Sequence, residues 1–119
     1  MQSVVIPSTM KQYVIDELRA EDYDKLKSYL SEHFETSDIE GVYWVILDRN
    51  ILSDIQADHA ECGPFYFAIE LDHSKIACEL LVRNKNKIRC SCISYANENQ
   101  RNWLIGKVDT LFEQLGIIS

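Results

Sequence analysis

The sequence predicts an α+β fold, in which a mostly antiparallel sheet of about five strands carries helices packed on one face, in two layers. Three strand-like runs follow one another with only short turns between them, and consecutive strands joined in this way pair in antiparallel order. Helix-like segments stand before and after those runs. The predicted order of elements is therefore β-α-β-α-β-β-β-α.

The first half of the chain predicts an arm, two strands and a helix. Residues 1–9 are expected to be a loose N-terminal arm, so that a single α+β domain spans residues 10–119. The run MKQYVIDEL alternates apolar and polar residues as a strand does. From about Ala20 to Phe34, apolar residues recur three or four apart and acidic residues crowd the first turn, which is typical of a helix. Gly41 then opens GVYWVILD, a β-branched and aromatic run that indicates a strand.

The second half predicts a short helix, three strands and a final helix. Residues 50–61 have helical spacing and stop at Gly63-Pro64. The runs PFYFAIEL, KIACELLV and KIRCSCISY follow as strands, joined by the turn-forming segments DHS and NKN. Asn97 caps the last helix with Gln100 in the capping-box position, and Gly116 ends it.

Composition indicates one ordinary globular domain and argues against several classes of partner. The chain has 119 residues, of which 46% are hydrophobic and 26% charged, and its net charge is −7. A chain of this length suits one core. The negative charge repels phosphate backbones and anionic lipid, so neither nucleic acid nor a membrane is an expected partner. The sequence opens without a basic-then-apolar leader and has no run approaching about 20 apolar residues, so a cytoplasmic location is expected.

The cysteines have two interpretations, a metal site or buried core thiols. The candidate metal ligands, for zinc or iron, are His59, Cys62, Cys90 and Cys92. Thiolate and imidazole together suit tetrahedral zinc. Neither cysteine pair has the C-x-x-C spacing of ordinary structural zinc sites, and a cysteine on an apolar strand face behaves as a small hydrophobe. Core burial is the favoured interpretation, with no cofactor and with zinc as the alternative.

Cys62 is also a candidate for redox or nucleophilic thiol chemistry, because it lies outside the predicted strands and close to His59. Such chemistry needs a thiolate of lowered pKa in an exposed, electropositive setting. A cysteine at the C-terminal end of a helix lies at the wrong end of the helix dipole for that purpose. The sequence also contains no phosphate loop, HExxH, GxSxG or EF-hand motif, so no catalytic residue is predicted.

Two surfaces are candidates for contact with a partner. On the sheet face away from the helices, the expected aromatic and aliphatic patch is formed by Tyr43, Tyr66, Leu81, Ile93 and Tyr95. Exposed patches of this kind mark partner or self-association surfaces. The hairpin tip carries a cationic cluster for an anion or an acidic partner, formed by Arg83, Lys85, Lys87 and Arg89. A solvated turn whose charges discourage edge-to-edge pairing is the alternative interpretation of that tip.

The small size, the acidic charge and the strand-strand-helix ending resemble the bacterial secretion chaperones. This resemblance implies a dimeric binding protein without catalysis. The expected function is therefore a non-enzymatic binding or adaptor protein that acts as a homodimer through its exposed sheet face, with itself and another protein as partners. Two-fold dimers are the commonest oligomers. A metal-binding protein with a His/Cys site and a thiol-redox protein using Cys62 are the alternatives.

Overall fold

The predicted α+β class is confirmed by a computed structural model of the chain, which describes residues 2–5, 12–84 and 92–117. The described strands form an antiparallel sheet, and the helices lie against one of its faces. The strands are β1 (Gln2–Val5), β2 (Gln12–Ile15), β3 (Glu35–Thr36), β4 (Val42–Ile46), β5 (Phe65–Leu71), β6 (Ile76–Glu79), β7 (Leu81–Asn84) and β8 (Ser94–Tyr95). The helices are α1 (Ala20–His33), α2 (Asp54–Asp58) and α3 (Glu98–Leu115), with 3-10 turns at Arg49–Ile51 and Ala60–Cys62.

The sheet order is β1-β2-β6-β5-β4-β3, and β6 and β7 form one continuous line beside β5. Ile69 of β5 lies opposite Cys78 of β6, and Tyr66 lies opposite Arg83 of β7. Between these two pairs lie residues 67–68 on β5 and residues 79–82 on the partner line, so the partner line bulges. The run KIACELLV, predicted as one strand, is therefore divided. The bulge adds an even number of residues, so the alternation of faces continues through it.

Three further elements differ from their predictions. β1 pairs with β2 along its whole length, which differs from the loose arm predicted for residues 1–9, of which residues 1 and 6–9 lie outside the described part. The helix predicted over residues 50–61 is the short α2 between two 3-10 turns. Of the last predicted strand, residues 92–95 are described, and β8 is shorter than predicted because residues 92–93 are not in a strand. Residues 85–91 lie outside the described part.

The core lies between the sheet and helices α1 and α3. Phe67 is fully buried at the centre of the sheet, and the helices bury Leu26 and Leu30 from α1 and Leu104 and Val108 from α3 against that layer. Full burial of a large apolar side chain contributes about 1.5–3 kcal/mol. Packing of these two apolar stripes therefore fixes the helices on one face, and no helix in the described ranges covers the other face of the sheet.

A buried amide pair joins the two layers at one end. Gln56 and Gln100 each complete a capping box, for α2 with Ser53 and for α3 with Asn97. The Nε2 of Gln100 donates to the Oε1 of Gln56 at 2.8 Å and to the carbonyl of Ile51 at 3.0 Å. The two helix starts are thereby locked to each other, because buried amides are stable only when they are hydrogen-bonded.

The predicted ends of α3 are confirmed. Asn97 accepts a hydrogen bond from the backbone N–H of Gln100, and Gly116 ends the helix in the left-handed region with φ of 69°. None of the helices in the described ranges is both long enough and apolar enough to cross a membrane.

Candidate functional site

The open face of the sheet holds a groove of about 750 Å³, which we call the open-face groove. Ala68 of β5 and Ala77 of β6 are among its lining residues, and both are buried. Trp44 and Tyr66 stand on one side of these alanines, and the carboxylate of Glu70 contributes to the same lining. The groove exists because the two alanines are small where the neighbouring positions carry long side chains.

Strand register places these side chains beside one another. Trp44 of β4 lies opposite Ala68, and Glu70 lies opposite Ala77. Residues opposite one another in an antiparallel pair share a face, and diagonal neighbours lie about 7–8 Å apart. Trp44 and Glu70 are therefore diagonal neighbours across β4 and β5, with small side chains beside each.

An aromatic pair forms one wall of the open-face groove. The ring centroids of Trp44 and Tyr66 are 4.6 Å apart, with an interplanar angle of 56°. Tyr66 is 4% exposed, whereas Trp44 is half-buried. Among the described residues, no hydrogen-bond partner meets the indole N–H of Trp44 or the hydroxyl of Tyr66. Two hydrogen-bonding groups at the groove wall are therefore available to a ligand.

The charged residues that the structure describes in the groove are mostly acidic. Glu79 and Arg83 form an ion pair, with the Nη2 of Arg83 3.1 Å from the Oε1 of Glu79. Glu70 and Asp38 also belong to the lining, and neither makes an ion pair within the described ranges. Since Arg83 is paired with a carboxylate, the described part of the lining presents uncompensated negative charge, at Glu70 and Asp38.

The rim of the groove is built by the turn between β3 and β4. Ser37 closes this turn, with its hydroxyl donating to the carbonyl of Ile39 at 2.9 Å, and Ile39 is left 66% exposed. Gly41 has φ of +86°, and a Cβ there would lie 3.0 Å from the carbonyl oxygen of Leu71. Glycine is therefore required at this position, both for the backbone conformation and for the close approach of β5.

The residues of the predicted partner patch lie in different settings, and the patch stays a prediction. Tyr43 was assigned to the wrong face: it is 5% exposed, faces the helices, and its hydroxyl lies 3.3 Å from the Oγ of Ser31. Tyr66 lies on the open face, but its ring is almost wholly covered. Leu81 and Ile93 are half-buried. Tyr95 is 39% exposed and lies opposite Leu81.

The residues of the predicted metal site lie in different settings. Cys62 and Cys92 are buried in the core beneath the helices, and the Nδ1 of His59 is 2.6 Å from the carbonyl oxygen of Ile55. Cys90 lies outside the described residues. The described ranges contain no group of three or more metal-binding side chains. The four-residue site stays a prediction, because one of its members is not described.

The thiols of Cys62 and Cys78 are buried. Burial raises the pKa of the Cys78 thiol to about 12, so this thiol stays protonated at neutral pH. Cys62 is 7% exposed, whereas thiolate chemistry requires solvent access.

Of the predicted cationic cluster, Arg83 forms an ion pair with Glu79, and Lys85, Lys87 and Arg89 lie outside the described residues.

The open-face groove was not predicted from the sequence, although it has a sequence signal. Ala68 and Ala77 are the small residues at open-face positions of two strands that are otherwise occupied by larger side chains. Detecting the groove required knowledge that these two positions are neighbours in the sheet. No family model matches the chain, and neither a curated protein nor a solved structure is detectably similar to it. The groove is therefore the feature from which a function has to be argued.

Proposed function

We propose that the chain is a non-enzymatic binding domain that holds a segment of another protein in the open-face groove. One observation carries the proposal. The alanines of the open face leave about 750 Å³ unfilled, beside aromatic and carboxylate groups that have no partner among the described residues. The recess is concave and combines apolar walls with a few polar groups, which is the form that binding sites take.

The groove has the composition of a recognition site. Its volume falls within the range of about 300–1,000 Å³ that is usual for ligand sites, which combine apolar walls with a few placed polar groups. Trp and Tyr are the residue types enriched where proteins bind other proteins. An extended segment suits this surface, because side chains alternating along it would enter the groove at every second residue.

A peptide-display selection tests this proposal. A random-peptide library selected on the immobilised protein is expected to yield clones that bind the native chain and lose binding to Ala68→Trp, which fills the groove. Ile55→Ser is the matched control, since Ile55 is 48% exposed on α2, away from the open face. If no clones emerge, or if those that emerge bind Ala68→Trp equally well, the proposal is wrong.

Self-association through the same face is a second candidate function, favoured by the apolar groups around the groove. Three of the large hydrophobic residues with exposed surface belong to this region: Ile39, Ile46 and Tyr95. Exposed apolar residues gathered on one face favour an interface between copies. Sedimentation equilibrium of the native chain is expected to show a dimer that Ile39→Ser and Tyr95→Ser weaken and Ile55→Ser does not. A monomer over the whole concentration range would exclude the homodimer.

We also propose that the protein works in the cytoplasm. Cys62, Cys78 and Cys92 are thiols buried in the core rather than members of a disulfide framework. Small domains that fold in oxidising compartments commonly use their cysteines for disulfides. This location can be tested by expressing a tagged chain in a host cell and measuring, after fractionation, which compartment contains it.

A further inference from the structure

We propose that the segment held in the open-face groove is basic, and that its arginine or lysine side chain lies across Trp44 with its charged head at Glu70. This inference rests on the proposed function and adds the chemistry of the partner. Three features carry it: the charge of the lining, the distance between the indole ring and the carboxylate, and the small side chains between the two.

The charge of the groove lining determines whether a basic or an acidic segment is favoured. Among the described residues, the lining contains the carboxylates of Asp38, Glu70 and Glu79 and one guanidinium, that of Arg83. Arg83 is already bound by both carboxylate oxygens of Glu79, at 3.1 and 3.4 Å. The chain as a whole has a net charge of −7. A cationic segment is therefore attracted by the local and by the overall field, and an acidic segment is repelled by both.

Distance and shape select a long side chain with a cationic end. Trp44 and Glu70 are diagonal neighbours about 7–8 Å apart, a span that the stem and head of an arginine or lysine can cover. The stem would lie on Ala68, the small residue opposite Trp44. A cation over an indole face is stabilised by the ring quadrupole. A carboxylate forms its strongest hydrogen bonds with a charged donor.

The tyrosine of the wall completes the set. The hydroxyl of Tyr66 has no hydrogen-bond partner in the ranges that the structure describes, although its ring is almost wholly covered. A hydroxyl oxygen accepts a hydrogen bond from a backbone N–H, so Tyr66 is suited to hold the main chain of the segment rather than its charged head at Glu70. A second copy of this chain is a poorer occupant of the groove, because it would bring the same uncompensated carboxylates into contact with those of the first.

Fluorescence of Trp44 reports occupancy directly. The chain has two tryptophans, so Trp103→Phe leaves Trp44 as the sole indole, and this variant is the background for all titrations. The probe is a capped hexapeptide of alternating arginine and valine. Its matched controls carry citrulline or glutamate in place of arginine, since citrulline keeps the shape of arginine and removes the charge.

The arginine peptide is expected to change the Trp44 emission saturably and to bind about tenfold more tightly than the citrulline peptide, which is the size of a charge-assisted hydrogen bond. Added salt should reduce this difference. Glu70→Gln should weaken the arginine peptide by a similar factor and leave the citrulline peptide unchanged. Glu113→Gln, on the exposed side of α3, is the control and should alter neither.

The outcomes separate this inference from the proposed function. Equal binding of the arginine and citrulline peptides, or an unchanged affinity in Glu70→Gln, overturns the basic partner and leaves groove binding standing. Tighter binding of the glutamate peptide overturns it as well. A Trp44 emission that no peptide changes, together with a display selection that yields no clones, overturns both proposals.

Discussion

The two faces of the sheet differ in how closely their side chains are packed, and β5 contributes to both. Toward the helices it presents Phe65, Phe67 and Ile69, which are at most 3% exposed. Toward the open side the same strand presents Tyr66, Ala68 and Glu70. The side chains toward the helices are packed in the core, whereas those on the open side line a groove of about 750 Å³.

Polar groups show the same difference. Beneath the helices, the hydroxyl of Tyr13 donates to Asp109 at 3.2 Å, and the amides of Gln56 and Gln100 bond each other. On the open side, Trp44 and Glu70 have no hydrogen-bond partner within the described ranges. Under the proposed function, the covered face serves stability and the open face serves recognition. Experiment can test this distinction, because it predicts that substitutions at neighbouring residues differ in their effect on stability.

The largest expected difference is between adjacent residues of β5. Phe67→Ala should lower the free energy of unfolding by about 3–5 kcal/mol, since it removes a fully buried aromatic side chain from the core. Ala68→Trp should change it by less than about 1 kcal/mol, because the added ring has the open-face groove to enter. Urea denaturation monitored by circular dichroism measures both. A large loss of stability in Ala68→Trp would mean that the open face is packed as tightly as the core.

The buried amide pair should give the next effect. Gln100→Ala removes the bonds from Nε2 to Gln56 and to the carbonyl of Ile51, and leaves that carbonyl and the N–H of Asn97 without their partner. The expected loss is about 2–3 kcal/mol, the cost of leaving buried polar groups unsatisfied. Glu113→Ala, on the exposed surface of α3, is the control and should fall within about 0.5 kcal/mol of the native chain. Equal losses would show that the network contributes no more than a surface residue.

Alkaline pH should act on the covered face. Burial raises the pKa of Cys78 to about 12, and it also raises the pKa of the neighbouring Tyr13, to which the charge of Asp109 adds. A raised folded-state pKa means that the unfolded chain loses these protons first, so stability is full at neutral pH and falls as the pH rises. Cys78 alone should remove about 2 kcal/mol between about pH 8 and pH 10.

Thermal and urea unfolding across that pH range measure the slope. Cys78→Ala should lower the stability at neutral pH slightly and make its decline with pH shallower, since the thiol no longer titrates. A slope identical to that of the native chain would show that Cys78 is not kept protonated by burial.

Much of the fold was predictable because alternation and capping are local signals. The alternating pattern of PFYFAIEL placed Phe65, Phe67 and Ile69 on one face, and the boundaries of α3 followed from Asn97 and Gly116. The division of KIACELLV was not predictable, because a bulge depends on how two strands meet rather than on either sequence.

The site was harder to predict, for a physical reason that Tyr43 illustrates. The run VYWVI is apolar at every position, so alternation assigns Tyr43 and Trp44 to opposite faces without saying which face the helices cover. The structure places Tyr43 under the helices and Trp44 in the groove. Ala68 and Ala77 likewise did not predict a groove, because a gap between side chains depends on which strands pair. The sequence of either strand alone does not show that these two alanines are neighbours.

The smallest expected effect discriminates most sharply between the two faces. Glu70 makes no hydrogen bond or ion pair within the described ranges, so Glu70→Gln should leave the free energy of unfolding within about 0.5 kcal/mol of the native value. Loss of one negative charge from a chain of net charge −7 also reduces self-repulsion, which favours the folded state slightly. The control is Asp22→Asn, which breaks a contact with Arg19 that lowers the pKa of Asp22 and should therefore destabilise the chain.

The comparison between these two carboxylates would show what Glu70 is for. A residue whose loss costs the fold nothing, while its loss weakens the binding of a basic peptide, serves recognition rather than stability. If Glu70→Gln instead destabilises the chain as much as Asp22→Asn does, Glu70 supports the fold through contacts that the sheet register does not reveal. The open face would then be a second structural surface, and the partner would have to be sought at its rim, around Ile39 and Tyr95.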